Sequence, residues 1–258
     1  MVRKGKRSVH VRVIKHLRET HRQLGMLLAF FMIFLAVTGI IINHGNSLNL
    51  DRTKVGVNWI LDHYNIEAPE QVQKFSLAEN KNALFVVGKQ VWLANTLLFT
   101  SDNDITAAAI WQQFILISSD NNLRLYNLAG QLVDVMDKAS GLPGNIKTLF
   151  VDGNDVYLKT AQGVFLSNDE LYSWQQYESN KHLEHWSQAT TISTAETQHY
   201  QQQYRTQILN WERVVIDIHS GRFFASLGVL FMDLVALFII ILSMSGIYMW
   251  IRQARARH

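Results

Sequence analysis

Three of the ten histidines in this chain stand at the ends of two long apolar runs, and one aspartate stands inside the second run. Leu24 to Ile42 is 19 residues without a formal charge, with His21 before it and His44 after it. Phe223 to Ile251 is 29 residues with a single charge, Asp233, and His219 precedes it in the stretch "IDIHSGRFF". A neutral imidazole ligates metals through a ring nitrogen, so histidines held at helix ends are candidate ligands. On a helix, the 23 residues from His21 to His44 span about 34 Å. Those two therefore belong to opposite membrane surfaces, whereas His44 and His219 share one. Two histidines reaching inward from adjacent helices would supply both axial ligands of a six-coordinate haem b. The other reading is a polar side chain at a headgroup boundary, and sequence position alone does not choose. The chain has no cysteine, which excludes disulfides, thiolate clusters, cysteine nucleophiles and covalent haem attachment.

Asp233 carries a second piece of chemistry, because an ionisable group inside a span is costly and usually functional. Counted from Arg222 it lies near mid-membrane; counted back from Trp250 it lies near one boundary. It reads either as a proton or hydrogen-bonding site serving a cofactor or ligand, or as a packing contact to a neighbouring helix. Elsewhere "HLEH" places His182 and His185 three apart with Glu184 between them, a conceivable metal pair on a helix. His10, His16, His63, His199 and His258 read as surface residues. Thr38 and Gly39 lie late in the first run, and Ser243, Ser245 and Gly246 late in the second. Such small residues allow close helix approach, or leave a shallow slot for a flat macrocycle.

These groups need two membrane helices to hold them. About 20 apolar residues span a bilayer core, and both runs qualify. The first is too long for a signal peptide's apolar region and no A-x-A site follows it, so it is expected to remain as an anchor. Residues 1–22 carry eight lysines and arginines against one acid, and the tail after Ile251 carries three arginines. Segment 43–222 carries 13 basic and 19 acidic residues, a net of −6 hidden within the overall +3. The positive-inside rule puts both termini in the cytoplasm and the middle outside. The basic N-terminus then serves topology and anionic lipid, and no nucleic-acid partner is expected.

Between the runs, Val57, Ile60, Leu61 and Tyr64 predict a short amphipathic helix ending near Pro69. Short strands follow, divided by Gly, Asn and Asp, with the strongest hairpin signal at Asp152-Gly153-Asn154-Asp155. Units such as "FILISSDNNLRLYN" and "TLFVDGNDVYLKTAQGVFLSN" recur at about 35 to 45 residues, in the range of a propeller blade. Two or three such units cannot close a ring, so an open stack of blade-like sheets is expected, with a small sandwich as the alternative. Neither a phosphate loop nor a nucleophile elbow occurs here, and the segment reads as a binding or spacer module. From Thr197, Tyr204, Ile208, Trp211, Val215 and Ile218 predict an amphipathic helix running almost continuously into the second run. The expected class is a membrane protein: two transmembrane helices flanking an extracytoplasmic, mostly β domain of blade-like antiparallel strands with short amphipathic helices at its margins. Its expected divisions are 1–22 cytoplasmic, 23–43 first span, 44–196 β domain, 197–222 amphipathic helix, 223–251 second span and 252–258 cytoplasmic tail.

Two stretches resemble a known family. "HRQLGMLLAFFMIFLAVTGIIINHGNSLNL" is similar to the first helix of PepSY-associated transmembrane proteins: His-Arg, Leu-Gly, Thr-Gly, then a polar exit. "WERVVIDIHSGRFFASLGVLFMDLVALFIIILSMSGIYMW" is similar to a later helix, with an Asp-x-His-x-Gly entry, an internal Asp-Leu and a Ser-Gly ending near Trp. The resemblance covers about 70 residues and implies a bacterial inner-membrane protein with a periplasmic central domain. It further implies haem b, an electron-relay or ferric-siderophore-reductase-like role, and His21, His44 and His219 as ligands, with Asp233 a shared acid of undefined role. The larger reductases of the family have about four spans, and their soluble module mixes helix and strand. With one helix pair, a relay would need a homodimer or another membrane or periplasmic redox protein. No flavin or nicotinamide site is visible, so electrons must come from elsewhere.

Overall fold

The structure, a computed structural model, describes residues 4–77, 83–167, 171–178, 183 and 185–255. It divides into two compact units, Met1–Val57 with Gln207–His258, and Asn58–Thr206. The first unit holds α1 (Lys4–Asn43), α4 (Trp211–Ser220) and α5 (Ala225–Arg255). The second holds α2 (Asn58–His63), all thirteen strands and α3 (Thr194–Thr206).

In the first unit, α1 and α5 are long and apolar enough to cross a membrane, over Arg18–Asn43 and Arg222–Arg255. The span expected at 23–43 is the distal half of a 40-residue helix, since no proline interrupts the basic stretch before it. Among the less exposed residues of α1 runs the series 21, 24, 28, 31, 35, 38 and 42, with 25, 34, 39 and 41 beside it; among those of α5 runs 228, 232, 235, 239, 242, 246 and 249, with 229, 245 and 252 beside it. Both series alternate three and four, the seam of a left-handed helix pair. The pairing is antiparallel: His21 meets Ser245, and the rings of Phe31 and Phe231 meet edge-on at 5.4 Å. A Cβ added to Gly25 would touch Leu242 at 3.7 Å. The other faces expose Met26, Leu27, Phe30, Ile33, Leu230, Leu234, Phe238 and Ile241, as surfaces bathed in hydrocarbon do.

The amphipathic run after Thr197 is two helices. α3 ends at Thr206, and at Asn210 the chain bridges to Lys54. Val55 donates to the Leu209 carbonyl, Trp211 to Thr53 and Glu212 to Leu50. The Asn210 side chain then caps α4 by accepting from the Arg213 amide, the usual task of an asparagine at that position. These backbone bonds outweigh the helical periodicity and break the helix.

In the second unit, α2 buries Ile60 and Leu61 as the spacing predicts. The strands form three antiparallel sheets. The first orders β13-β1-β2-β3-β4, with β1 at Val72–Ser76, β2 Ala83–Val87, β3 Gln90–Leu93, β4 Thr96–Thr100 and β13 Ala189–Thr190. The second orders β5-β6-β7-β8: Ile105–Trp111, Phe114–Ser119, Asn122–Asn127 and Leu132–Asp137. The third orders β12-β11-β10-β9: Gln175–Gln176, Val164–Ser167, Asp155–Lys159 and Thr148–Asp152. The β9–β10 hairpin pairs Asp152 with Asp155 across Gly153 and Asn154, with Gly153 at φ +63°.

The sheets stack face to face, as the open blade-like arrangement requires. Phe75, Leu84, Val91, Ile115 and Ile117 fill one interface; Trp111, Leu116, Leu149, Val156 and Leu158 fill the next. α3 closes the outer face of the first sheet, where Tyr200 stacks on Phe85 at 3.8 Å. Burial on both faces explains why β2 and β3 are buried at every position, without polar alternation.

One short segment joins the open edges of all three sheets. Ser187 Oγ donates to the Ala108 carbonyl and accepts from the Ala108 amide, while its own amide donates to Leu149. Two residues on, β13 pairs with β1. Ser187→Ala strips both backbone groups of Ala108 of this partner. A loss of about 1–3 kcal/mol in stability is expected, read as a lower unfolding midpoint of the full chain in detergent.

A capping box starts α3: the Ser193 amide donates to Glu196, and the Glu196 amide to Ser193 Oγ. The hydrogen bond from Lys74, with those from Ser193, lowers the Glu196 carboxyl from its ordinary 4.5 to about 2. Because the folded value is the lower one, this contribution is present above pH 4.5 and fades as pH falls from there toward 2. Protection from hydrogen exchange in the first turn of α3, measured relative to the intrinsic rate at each pH, should therefore fall over that range, and Glu196→Gln should flatten the dependence.

Candidate functional site

Two of the histidines at the ends of the apolar runs, His219 and His21, are held by hydroxyl–glycine doublets on another helix. His219, near the end of α4, brings Nδ1 to 2.7 Å from Thr38 Oγ1 of α1. Its Cε1 lies 3.8 Å from where a Cβ on Gly39 would stand. His21 of α1 brings Nδ1 to 2.8 Å from Ser245 Oγ of α5, and its Cε1 lies 3.3 Å from a Cβ on Gly246. The arrangement is reciprocal, with each membrane helix carrying one doublet.

The hydroxyl protons fix the ring tautomers. Thr38 Oγ1 lies 2.8 Å from the Phe34 carbonyl, and Ser245 Oγ 2.8 Å from the Leu242 carbonyl. A carbonyl cannot donate, so each hydroxyl spends its one proton on its own helix. Each oxygen must then accept from the histidine Nδ1–H, leaving Nε2 with its lone pair. His44 reaches the same state by another route, its Nδ1–H donating to the Ile40 carbonyl at 2.9 Å. A histidine that ligates iron is usually fixed in this way, its other nitrogen donating to a carbonyl or comparable acceptor.

The structure does not bring His44 to His219. His44 is exposed, and at about 100° per residue it stands about 140° round α1 from Gly39. The glycines do not open a slot between the helices either. Gly25 and Gly39 are covered by Leu242 and His219, and Gly246 by His21. The seam is closed by side chains at these glycines, which leaves no slot there for a planar macrocycle. The donor set itself, three imidazoles with fixed Nδ1–H, suits haem iron. Among the described residues no three His, Cys, Asp or Glu side chains converge as a metal cluster. His182 and Glu184 of "HLEH" lie outside the described residues, and His185 is exposed.

Residues 2–253 match the model of the family described as the PepSY-associated TM region. The chain belongs to that family. No curated protein matches it. Among solved structures, the extracellular domain of BT4673 from B. thetaiotaomicron is similar at 12% identity and TM-score 0.34. That match covers 44% of this chain and 16% of the other, too slight to bear on fold or function.

The Asp-x-His-x-Gly entry of this PepSY-associated chain gives each residue a distinct task. Asp217 is buried on α4, its carboxylate 2.8 Å from Arg213 Nε and 4.0 Å from Arg222. His219 crosses to α1, as described. Gly221 caps α4 at φ +81° and starts a hook through the 3₁₀ turn Arg222–Phe224. The hook closes where Gly221 packs on Gly228: a Cβ on Gly228 would stand 2.1 Å from the Gly221 oxygen. Asp233 lies two residues beyond Phe231, whose ring touches Phe31. The α1 span runs from Arg18 to Asn43, so Asp233 is level with its middle, and it is exposed. Sequence reasoning noted the hydroxyl–glycine doublets only as small residues. The signal available was their occurrence late in both spans, but the histidine each one receives is far away in sequence. Asp217 had no assigned task beyond its place in the family pattern.

Proposed function

We propose that this PepSY-associated membrane protein binds haem b and takes part in transmembrane electron transfer, or in reduction of a periplasmic acceptor such as a ferric siderophore or flavoprotein. One observation carries the reading: the Nδ1 atoms of His21, His44 and His219 lie 2.8, 2.9 and 2.7 Å from oxygens able to accept their proton, an arrangement that would leave each Nε2 available as a ligand. Haem, when bound, supplies reversible one-electron transfer. His219 and His44 would serve one membrane surface, taken as the periplasmic face of a bacterial inner membrane, and His21 the other. His21 and Thr38 are 17 residues apart, about 26 Å of helix, so ligands stand at both ends of the helix pair. Thr38 and Ser245 hold the imidazoles in the ligating tautomer, and Gly39 and Gly246 let the rings lie against the opposite backbone. Further axial ligands and the electron donor would come from a second copy or another redox protein.

The test uses the full chain, produced with ample haem and purified in detergent. A dithionite-reduced spectrum should show a b-type α-band, reduced by His219→Ala and by His21→Ala. A wild-type protein without that band overturns the reading.

A second reading is a non-catalytic accessory or sensor protein whose β domain binds a partner. It is favoured by a cleft of about 650 Å³ between the edges of β5 and β9, lined among others by Gln112, Phe150, His185, Trp186 and Gln188. Under it, His44→Ala and His219→Ala leave function intact, while Trp186→Ala and Gln112→Ala remove it.

A further inference from the structure

Asp233 belongs to a second stripe on α5. Residues 226, 229, 233, 236, 240, 243 and 247 again alternate three and four, about 120° round the helix from the α1 seam. They are Ser226, Val229, Asp233, Ala236, Ile240, Ser243 and Ile247, all exposed except the half-buried Val229. The remaining arc carries Leu227, Leu230, Leu234, Leu237, Phe238 and Met244. Ser226, Asp233, Ala236 and Ser243 thus interleave with Val229, Ile240 and Ile247 on one face, whereas the residues named on the other arc are all large and apolar. A carboxyl group facing hydrocarbon at mid-depth is costly, so such groups face a helix interface. Within this chain, α1 offers only Phe30, Phe31, Met32, Ile33 and Phe34 at that level, and none can hydrogen-bond through its side chain.

We propose that this stripe is the contact with a second copy of the chain, the two α5 helices packing in parallel about a twofold axis along the membrane normal. Two arguments select a second copy as the occupant. Copies inserted in the same sense place every residue at the depth of its own counterpart, so packing along this stripe sets Asp233 against Asp233. A neutral carboxyl both donates and accepts, so it is complementary to itself. Ser226, Ala236 and Ser243 let the backbones come close along the rest of the stripe. Ser243 suits this, since its hydroxyl is already bonded to the Ile239 carbonyl. The interface requires only that the two spans lie in a bilayer, and it stands whether or not the haem reading holds.

The natural chain has no cysteine, so single cysteines report cleanly. The full chain carrying Ala236→Cys or Ile240→Cys, oxidised in native membranes with copper phenanthroline, should form disulfide-linked dimers at least tenfold faster than Leu227→Cys or Phe238→Cys. Adding Asp233→Leu to the Ala236→Cys chain should abolish that preference, and Asp233→Asn should preserve it. Equal crosslinking around the helix, faster crosslinking at 227 or 238, or no dimer at any position would each overturn the proposal.

Discussion

Gly228→Ala should unfold the hook between α4 and α5, with a loss of about 3 kcal/mol or more. The new methyl would stand 2.1 Å from the Gly221 carbonyl oxygen and 2.7 Å from Phe224 Cβ. The closest obstacle is backbone, so no rotamer change relieves it. Gly221 cannot retreat, because it holds φ +81° as the cap of α4, and its own Cβ position lies 2.4 Å from the Gly228 oxygen. Alanine would gain about 1 kcal/mol of helix propensity over glycine within α5; the clash is larger and decides the sign. Gly56→Ala is the control: nothing lies within 4 Å of its added Cβ, and a change within about 0.5 kcal/mol is expected. Thermal unfolding of the two variants in the same detergent separates them, and equal midpoints would refute the hook.

Thr38→Val should release His219 while keeping the side-chain volume. Valine cannot accept from Nδ1–H, and that proton sits against a residue only 8% exposed. An unpartnered donor there costs about 1–3 kcal/mol, which the ring escapes by rotating or by moving its proton to Nε2. If the proposed haem site is real, a 10- to 100-fold loss of haem affinity should follow, the usual penalty for removing the group that orients a ligating histidine. Thr38→Ser keeps the oxygen and should retain affinity. A readout free of haem is the ¹⁵N spectrum of the His219 ring. Wild type should show Nδ1 protonated and Nε2 bare, and Thr38→Val should lose that state. The equivalent change at the other end is Ser245→Ala, acting on His21.

Much of the architecture was legible because its signals are local. Two runs of bilayer length, the Gly153–Asn154 hairpin and the recurrent strand pairs each announce themselves within a few dozen residues. The family followed from Thr-Gly, Asp-x-His-x-Gly and Ser-Gly in their order. The helix expected to run on from Thr197 failed for a non-local reason. Its break at Asn210 depends on hydrogen bonds to Leu50, Thr53 and Val55, more than 150 residues earlier. The separate surroundings of His44 and His219 were not legible for a similar reason. Shared membrane depth is readable from counting residues, but the direction a side chain takes around its helix depends on which face the partner helix covers.

By itself, then, the sequence determined the two spans, the stacked β domain and the histidines at the spans' ends, since hydrophobic length and periodicity act along the chain. Only the tertiary structure decided that Thr38 and Ser245 receive those histidines and that Gly221 meets Gly228. It also placed Asp233 two residues beyond the Phe31–Phe231 contact, on the exposed side of α5. The histidine contacts depend on the antiparallel packing of α1 against the C-terminal helices, between residues some 200 positions apart, and that register cannot be read from either helix alone. The Gly221–Gly228 contact, seven residues apart, depends on the left-handed cap that turns the chain back.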